Sequence, residues 1–249
     1  MLAAGRPTGN PTVTASFVTG PRSQTAFDVA FHHATPHGVL VGVSIPDSPE
    51  PVPAAILAAL PGPEAELAAS LKGYRQVQFT GGRIALRRAC EQLGLRPPPL
   101  LTDDRGAPRL PSGVAGSVSH KRDLAVAMVA ADRDGTVGVD LEDYGPPRPS
   151  IASHVLRPEE LAAIAALPEE RRWMAILLRF SIKEAIYKAL DPYVRRYVGF
   201  HEALVDPQID GSAGVELTLA NGEGPFRVAA RFEWLHGRLL TSTRIRPGP

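Results

Sequence analysis

The spacing of apolar residues changes several times along the chain, and each change marks an element. Residues 26 to 45 carry short apolar runs, ending in Gly38-Val-Leu-Val-Gly-Val-Ser-Ile45, which reads as strand. Prolines crowd the next stretch to Pro63, interrupted by Ala54 to Leu60. A helical period then runs from about Glu64 to Leu93, closed by Gly94 and the Pro97-Pro98-Pro99 stop. The Gly81-Gly82 pair inside it costs about 2 kcal/mol relative to alanines. Either the helix breaks there or a neighbour approaches its backbone. A loop from Leu100 to Gly116 leads to Ser117-Val-Ser-His120. A strand (Leu124 to Ala131), a turn (Asp132 to Gly135) and a second strand (Thr136 to Glu142) predict a hairpin. Arg157 to Leu167 and Pro168 to Leu190 read as two helices. The tail carries alternating runs at Val215 to Leu219, Phe226 to Phe232 and Leu239 to Ile245, the pattern of an antiparallel sheet. The order predicts an α+β chain of two halves, 1–135 and 136–249. Residues 1 to 12 are small, polar and rich in Pro and Gly, and are expected to be loose.

Composition narrows the chemistry. The 249 residues carry 27 Lys and Arg against 26 Asp and Glu, a net charge of +1. No basic excess points to nucleic acid, so a polyanion site here has to be a local cluster. Cys90 is the one cysteine; it lies among Ile84, Leu86, Ala89 and Leu93 and reads as a core thiol. No segment has the length of apolar chain that spans a membrane, and residues 1 to 12 lack the order of a signal peptide. The cytoplasm is the expected location.

Two segments carry candidate chemistry. In Val137-Gly-Val-Asp-Leu-Glu142, strand alternation sends Val137, Val139 and Leu141 into a core and Asp140 and Glu142 the other way, with Cα atoms roughly 6.5 Å apart. Two carboxylates on one face suit a hard divalent cation; they equally suit a solvated outer face. Because Asp140 points away from the core, its replacement is expected to spare the fold. In the helix from Trp173 to Leu190, one apolar stripe is Leu178, Ile182, Ile186, Ala189 and Leu190. A second stripe, Trp173, Ile176, Leu177 and Phe180, turns charged at Lys183, Glu184, Tyr187 and Lys188. Glu184 and Lys188 form either a surface pair at i, i+4, worth about 0.2–0.5 kcal/mol, or part of a cleft. If the hairpin turns at Asp132 to Gly135, Glu142 lies opposite about Ala125, and Ser119 and His120 sit just beyond the strand end near both carboxylates. Arg75, Arg83 and Arg87 lie on the long helix, and Arg105 in a Gly/Pro loop. They are polyanion candidates or a solvated basic face. Walker-type and G-x-G-x-x-G loops are absent.

Together these segments resemble the Sfp-type 4′-phosphopantetheinyl transferases, in the branch of the enterobactin-synthase transferases. The carrying residues are Gly138-Val-Asp-Leu-Glu142, Phe180-Ser-Ile-Lys-Glu-Ala-Ile-Tyr-Lys188, Ser119-His120, Arg75 followed by Gly82-Arg-Ile-Ala-Leu-Arg-Arg-Ala89, and Arg105-Gly-Ala-Pro108. Asp103 replaces the first glycine of the family's loop, and Tyr74-Arg75-Gln76 is less basic than in relatives. The resemblance implies two similar α+β halves related by a pseudo-twofold, with the active site in the cleft between them. It implies Mg²⁺ on Asp140, Glu142 and Glu184. It implies coenzyme A phosphates on Arg75, Arg83, Arg105, Ser119, His120, Lys183 and Lys188. Glu184, Asp140 and Lys188 become the catalytic set, with Glu184, directly or through a metal-bound water, as the base that takes the proton of a carrier-protein serine. The product beside the loaded acyl or peptidyl carrier is 3′,5′-ADP, and a monomer is expected. Two other readings stay open: an inactive coenzyme A-binding regulator, and a metal-dependent phosphoesterase.

Overall fold

A computed structural model describes residues 26–249; the expectation for residues 1 to 12 falls outside them. Strands β1 (Val29–Thr35) and β2 (Gly38–Ser44) form a hairpin. Two short helices follow, α1 (Ala54–Ala58) and α2 (Gly62–Ser70), then the long α3 (Tyr74–Gln92). The single helix expected from Glu64 to Leu93 is therefore two. The break is at Gly73, whose φ of 58° puts it in the left-handed region that glycine enters without a Cβ penalty. The apolar period ran on across that break, so periodicity alone concealed it.

β3 (Val114–Lys121) and β4 (Leu124–Ala131) complete a four-stranded antiparallel sheet in the order β1-β2-β4-β3. α3 lies across this sheet and the Gly81-Gly82 pair does not break it. A Cβ on Gly81 would stand 2.2 Å from Ile45 Cγ2, and one on Gly82 would stand 2.9 Å from Val118 Cγ1. The glycines let helix and sheet touch. Val41, Val43, Val77, Leu86, Cys90, Ala127 and Val129 fill the space between them, and burial pushes the Cys90 thiol up to about 11.

β5 (Thr136–Asp143) starts the second half. The expected β4–β5 hairpin does not form. β4 is bonded to β2 and β3, whereas β5 pairs with β9 (Arg238–Pro247), at the edge of a five-stranded antiparallel sheet ordered β5-β9-β8-β7-β6. The Asp132 to Gly135 turn leads from one sheet to the other. Strands β6 (Ala203–Pro207), β7 (Ser212–Leu217) and β8 (Phe226–Leu235) supply the rest. Between β5 and β6 come α4 (Ala152–Val155), α5 (Pro158–Ala165) and the 26-residue α6 (Glu169–Val194). The fold is thus α+β, with a long helix on each sheet. Among the described residues no helix is long and apolar enough to cross a membrane.

The sheets meet where β3 runs beside β5. No backbone ladder joins them. Instead the Val139 N–H donates to Ser117 Oγ at 3.1 Å and the Leu141 N–H to Ser119 Oγ at 3.3 Å. Val137, Val139 and Leu141 turn toward the first sheet and pack with Leu40, Val126, Met128 and Leu240. Gly138, Asp140 and Glu142 turn toward α6. Ile182, Ile186, Ala189 and Leu190 of α6 pack on the second sheet; Trp173, Ile176 and Leu177 pack with Val155, Ile164 and Leu239.

The tightest of these approaches is at Gly138. A Cβ there would lie 1.8 Å from the Ala185 carbonyl oxygen and 2.9 Å from the Ala189 nitrogen. Neither atom belongs to a flexible side chain, so the helix as a whole has to move. Gly138→Ala is expected to cost about 3 kcal/mol or more, the upper range for overpacking, read as a lower urea midpoint.

Candidate functional site

Once α6 rests on Gly138, its residues Ser181, Glu184 and Lys188 stand over the carboxylates of β5. Asp140 is 5% exposed. Its Oδ1 accepts from Ser119 Oγ (3.1 Å) and Lys188 Nζ (2.8 Å), and its Oδ2 from Ser181 Oγ (2.8 Å). Lys188 also donates to the Val139 carbonyl at 3.0 Å and to Ser119 Oγ at 3.2 Å. The surface Glu184–Lys188 pair is therefore not formed; Lys188 is spent on Asp140. Glu184 makes no hydrogen bond or ion pair with any described residue. Burial raises its carboxyl pKa, Asp140 and Glu142 raise it further, and Lys188 opposes them. Glu142 is 6% exposed, with its pKa likewise raised, chiefly by burial, opposed by Lys121 and reinforced by Asp140.

These carboxylates are a donor set of the right kind for a hard cation: buried oxygens in mutual repulsion. Glu142 Oε2 lies 2.6 Å from Lys121 Nζ, so this buried oxygen is held by a single ammonium group that reaches in from the surface. As they stand, no three His, Cys, Asp or Glu side chains among the described residues converge tightly enough to hold a metal ion. Ammonium groups sit on Asp140 and Glu142, and a dication would take over that neutralising role. Asp140 faces away from its own strand's core, as alternation requires, but α6 covers it. Its removal would take one partner each from Ser119, Ser181 and Lys188, so the expectation that the fold is spared has to allow for a buried network that loses its centre.

Beside the carboxylates opens a cleft of about 660 Å³ between α3, the loop from Thr102 to Pro108, β3 and α6. Arg75, Arg83, Arg105, His120 and Lys188 line it, with Phe79, Tyr187 and Asp191 among their neighbours. Arg75 is exposed. Arg83 is buried, donates through Nε to the Leu100 carbonyl at 2.5 Å and stacks on Phe79 at 4.4 Å; burial lowers its pKa to about 10, so it stays cationic. Arg105 reaches Asp191 at 2.6 Å, tying the loop to α6. His120 is exposed as a residue, yet burial of its ring and then the Lys188 charge lower its pKa.

Two of the expected phosphate contacts lie elsewhere. Ser119 is buried beneath the cleft, its hydroxyl taken by Asp140, Lys188 and the Leu141 N–H. Lys183 is fully buried on another side of α6, bonded to Glu160 (2.6 Å), the Val155 carbonyl (2.8 Å) and the Phe200 carbonyl (3.0 Å). The reason is angular. Five residues separate Lys183 from Lys188, which places them roughly 140° apart around the helix. Glu160 also accepts from the Arg157 and Val205 N–H groups, so Lys183 staples α5 and β6 to α6.

Sequence reasoning passed over Lys121, Ser181 and Asp191. Ser181 was visible one residue after Phe180 on the helix face of Lys188. Lys121 was visible as the next odd residue after Ser117 and Ser119, once β3 is extended by one pleat.

A family model described as the 4′-phosphopantetheinyl transferase N-terminal domain matches residues 63–130, and one described as the 4′-phosphopantetheinyl transferase superfamily matches residues 136–242. The chain is 34% identical over 173 residues to 4′-phosphopantetheinyl transferase Svp of Streptomyces mobaraensis, an alignment covering 65% of each protein, so the chain spans just under two thirds of that relative. It is 32% identical over 191 residues to 4′-phosphopantetheinyl transferase PptT of Mycobacterium tuberculosis, covering 73% of this chain and 83% of the relative. Among solved structures, a holo-(acyl-carrier-protein) synthase from Bacillus anthracis overlaps 45% of this chain and 96% of its own at 16% identity and a TM-score of 0.37, a likeness too slight to build on.

Two outcomes follow from the charge arrangement. Lys183→Ala leaves Glu160 buried without its cation and is expected to cost about 3–5 kcal/mol in chemical denaturation, while anion binding in the cleft by the folded fraction is unchanged. Glu184→Gln acts in the opposite direction. A carboxyl whose pKa is raised by folding loses stability as pH rises through that raised value. The glutamine variant should therefore melt higher than wild type at neutral pH, and the gain should vanish as pH falls to the ordinary glutamate range.

Proposed function

Since the chain belongs to the 4′-phosphopantetheinyl transferase superfamily, we propose that it moves the 4′-phosphopantetheine arm of coenzyme A onto a serine of an apo acyl or peptidyl carrier protein. The carrying observation is the position of Lys188. It lines the basic cleft and at the same time bonds Asp140 at 2.8 Å. One side chain thus joins a site suited to a polyphosphate to a buried group of carboxylates.

In this reading Arg75, Arg83 and Arg105 offset the phosphates of coenzyme A, with His120 at the rim. The planar guanidinium of Arg83 is pre-oriented by Phe79 and the Leu100 carbonyl. The carrier serine oxygen attacks the β-phosphorus, which keeps its pantetheine ester; the bond from the β-phosphorus to the bridging oxygen breaks, and that oxygen leaves on the α-phosphate of 3′,5′-ADP. Lys188 stands where negative charge grows on the pyrophosphate, the place where a positioned cation contributes most. Asp140, Ser119 and Ser181 orient it. Glu184 is left to take the serine proton, because its carboxylate has no partner and its raised pKa makes it the stronger base.

Asp140, Glu142 and Glu184 would hold Mg²⁺, which when bound would neutralise pyrophosphate charge beside them.

The test is direct. The protein is incubated with coenzyme A, Mg²⁺ and several apo carriers, and the carriers are weighed by mass spectrometry for the phosphopantetheine gain. Glu184→Gln is expected to lower kcat by about 10²-fold or more and to leave coenzyme A binding by calorimetry much less affected. No gain on any carrier, or wild-type turnover by the glutamine variant, would overturn the assignment of activity or of base respectively.

A further inference from the structure

The odd-numbered residues of β3 form a row facing β5. Ser117 and Ser119 bond its backbone N–H groups, and the third, Lys121, meets its last carboxylate, Glu142. The Lys121 Nζ to Glu142 Oε2 distance is 2.6 Å, and the two side chains are 31% and 9% exposed. The ammonium thus reaches in from water to a carboxylate that is nearly out of it.

Resting on the metal reading above, we infer that Lys121 is a built-in competitor for the divalent cation: it sits on Glu142 when no cation is bound and swings into solvent when one arrives. Three observations carry this. First, the two compete for the same negative charge at one oxygen. Mg²⁺ binds oxygen at about 2.0–2.1 Å, and an ammonium 2.6 Å from that same atom would be held against the dication. Second, the lysine is free to leave. Glu142 is its one side-chain partner among the described residues, and a hydrated head on a flexible stem returns to water at small cost. Lys183 is the contrast: fully buried with three acceptors, it has nowhere to go. Third, Glu142 needs one cation or the other. It is buried beside Asp140, and without a positive neighbour it would be an uncompensated charge.

Lys121 therefore sets the cation concentration at which the site fills. Lys188 is the harder of the two ammonium groups to displace, since its bonds to Ser119 and the Val139 carbonyl hold it beside Asp140.

Mn²⁺ binding to the full chain, followed by the loss of the free-ion resonance signal and reversed by Mg²⁺, measures the competition without turnover. It is run with and without coenzyme A, and with no carrier. Lys121→Gln should tighten Mn²⁺ binding by about twofold to fivefold, the equilibrium effect of losing a partly exposed ion pair. Lys121→Arg, which keeps the charge, should bind as wild type does. Without cation the glutamine variant should melt lower than wild type, and saturating cation should raise its Tm by more. Unchanged or weaker Mn²⁺ binding by Lys121→Gln, beside a wild type that binds, would overturn the competition alone. A wild type that binds no Mn²⁺ in either condition would overturn the metal reading and the competition with it.

Discussion

The site depends on a contact that involves no side chain. α6 comes so close to β5 that a methyl on Gly138 would sit 1.8 Å from the Ala185 carbonyl oxygen. Interiors are close-packed, and a helix cannot yield by an ångström without moving everything fixed to it. That approach sets the height at which Ser181, Glu184 and Lys188 stand over Asp140. One strand residue away, the alternation that turns Gly138 toward the helix turns Val137 and Val139 into the hydrophobic layer between the sheets. The same strand thus cements the two sheets with one face and builds the site with the other.

Burying charge is what this arrangement has to offset. Three carboxylates, two buried on β5 and one half-buried on α6, lie near one another, and a buried anion without a counter-ion would cost several kcal/mol. Two are met by lysines of different kinds. Lys188 is fixed by three bonds, whereas Lys121 reaches in from solvent to Glu142. Glu184 is left with none, which destabilises the fold locally and suits a proton acceptor. A structure optimised for stability alone would have put glutamine or leucine there, and sites that do chemistry commonly give up stability in this way.

What the sequence disclosed follows from the range of the interactions concerned. Elements governed by local periodicity were legible: the stripes of α6, the alternation of β5, and three of the tail's four strands, with β6 passed over. The partner of β5 was not, because it lies about a hundred residues away at β9 and no local pattern carries that pairing. A two-strand pattern around Asp132-Arg-Asp-Gly135 looks like a hairpin whether the second strand folds back or crosses to another sheet. Ser119 and His120 were nonetheless expected near the carboxylates, and Ser119 does lie against Asp140, by the β3–β5 approach instead of the supposed turn. Lys183 and Lys188 shared a stripe in sequence, but a stripe wide enough to hold both spans two environments. Gly81 and Gly82 announced a close approach without naming the neighbour.

The hydroxyl seam between β3 and β5 has a consequence beyond the site. Both strands end their sheets, and an open strand edge is a row of unpaired donors and acceptors that recruits strands from other molecules. Here each edge blocks the other. The β5 donors at Val139 and Leu141 are occupied by Ser117 and Ser119, and Val137, Val139 and Leu141 are packed against Val126 and Met128 of β4. Ser119 serves twice, closing an edge through Leu141 and holding Asp140 through its proton. The closing of the edge and the setting of Asp140 thereby draw on the same oxygen atom, so a substitution at Ser119 disturbs both at once.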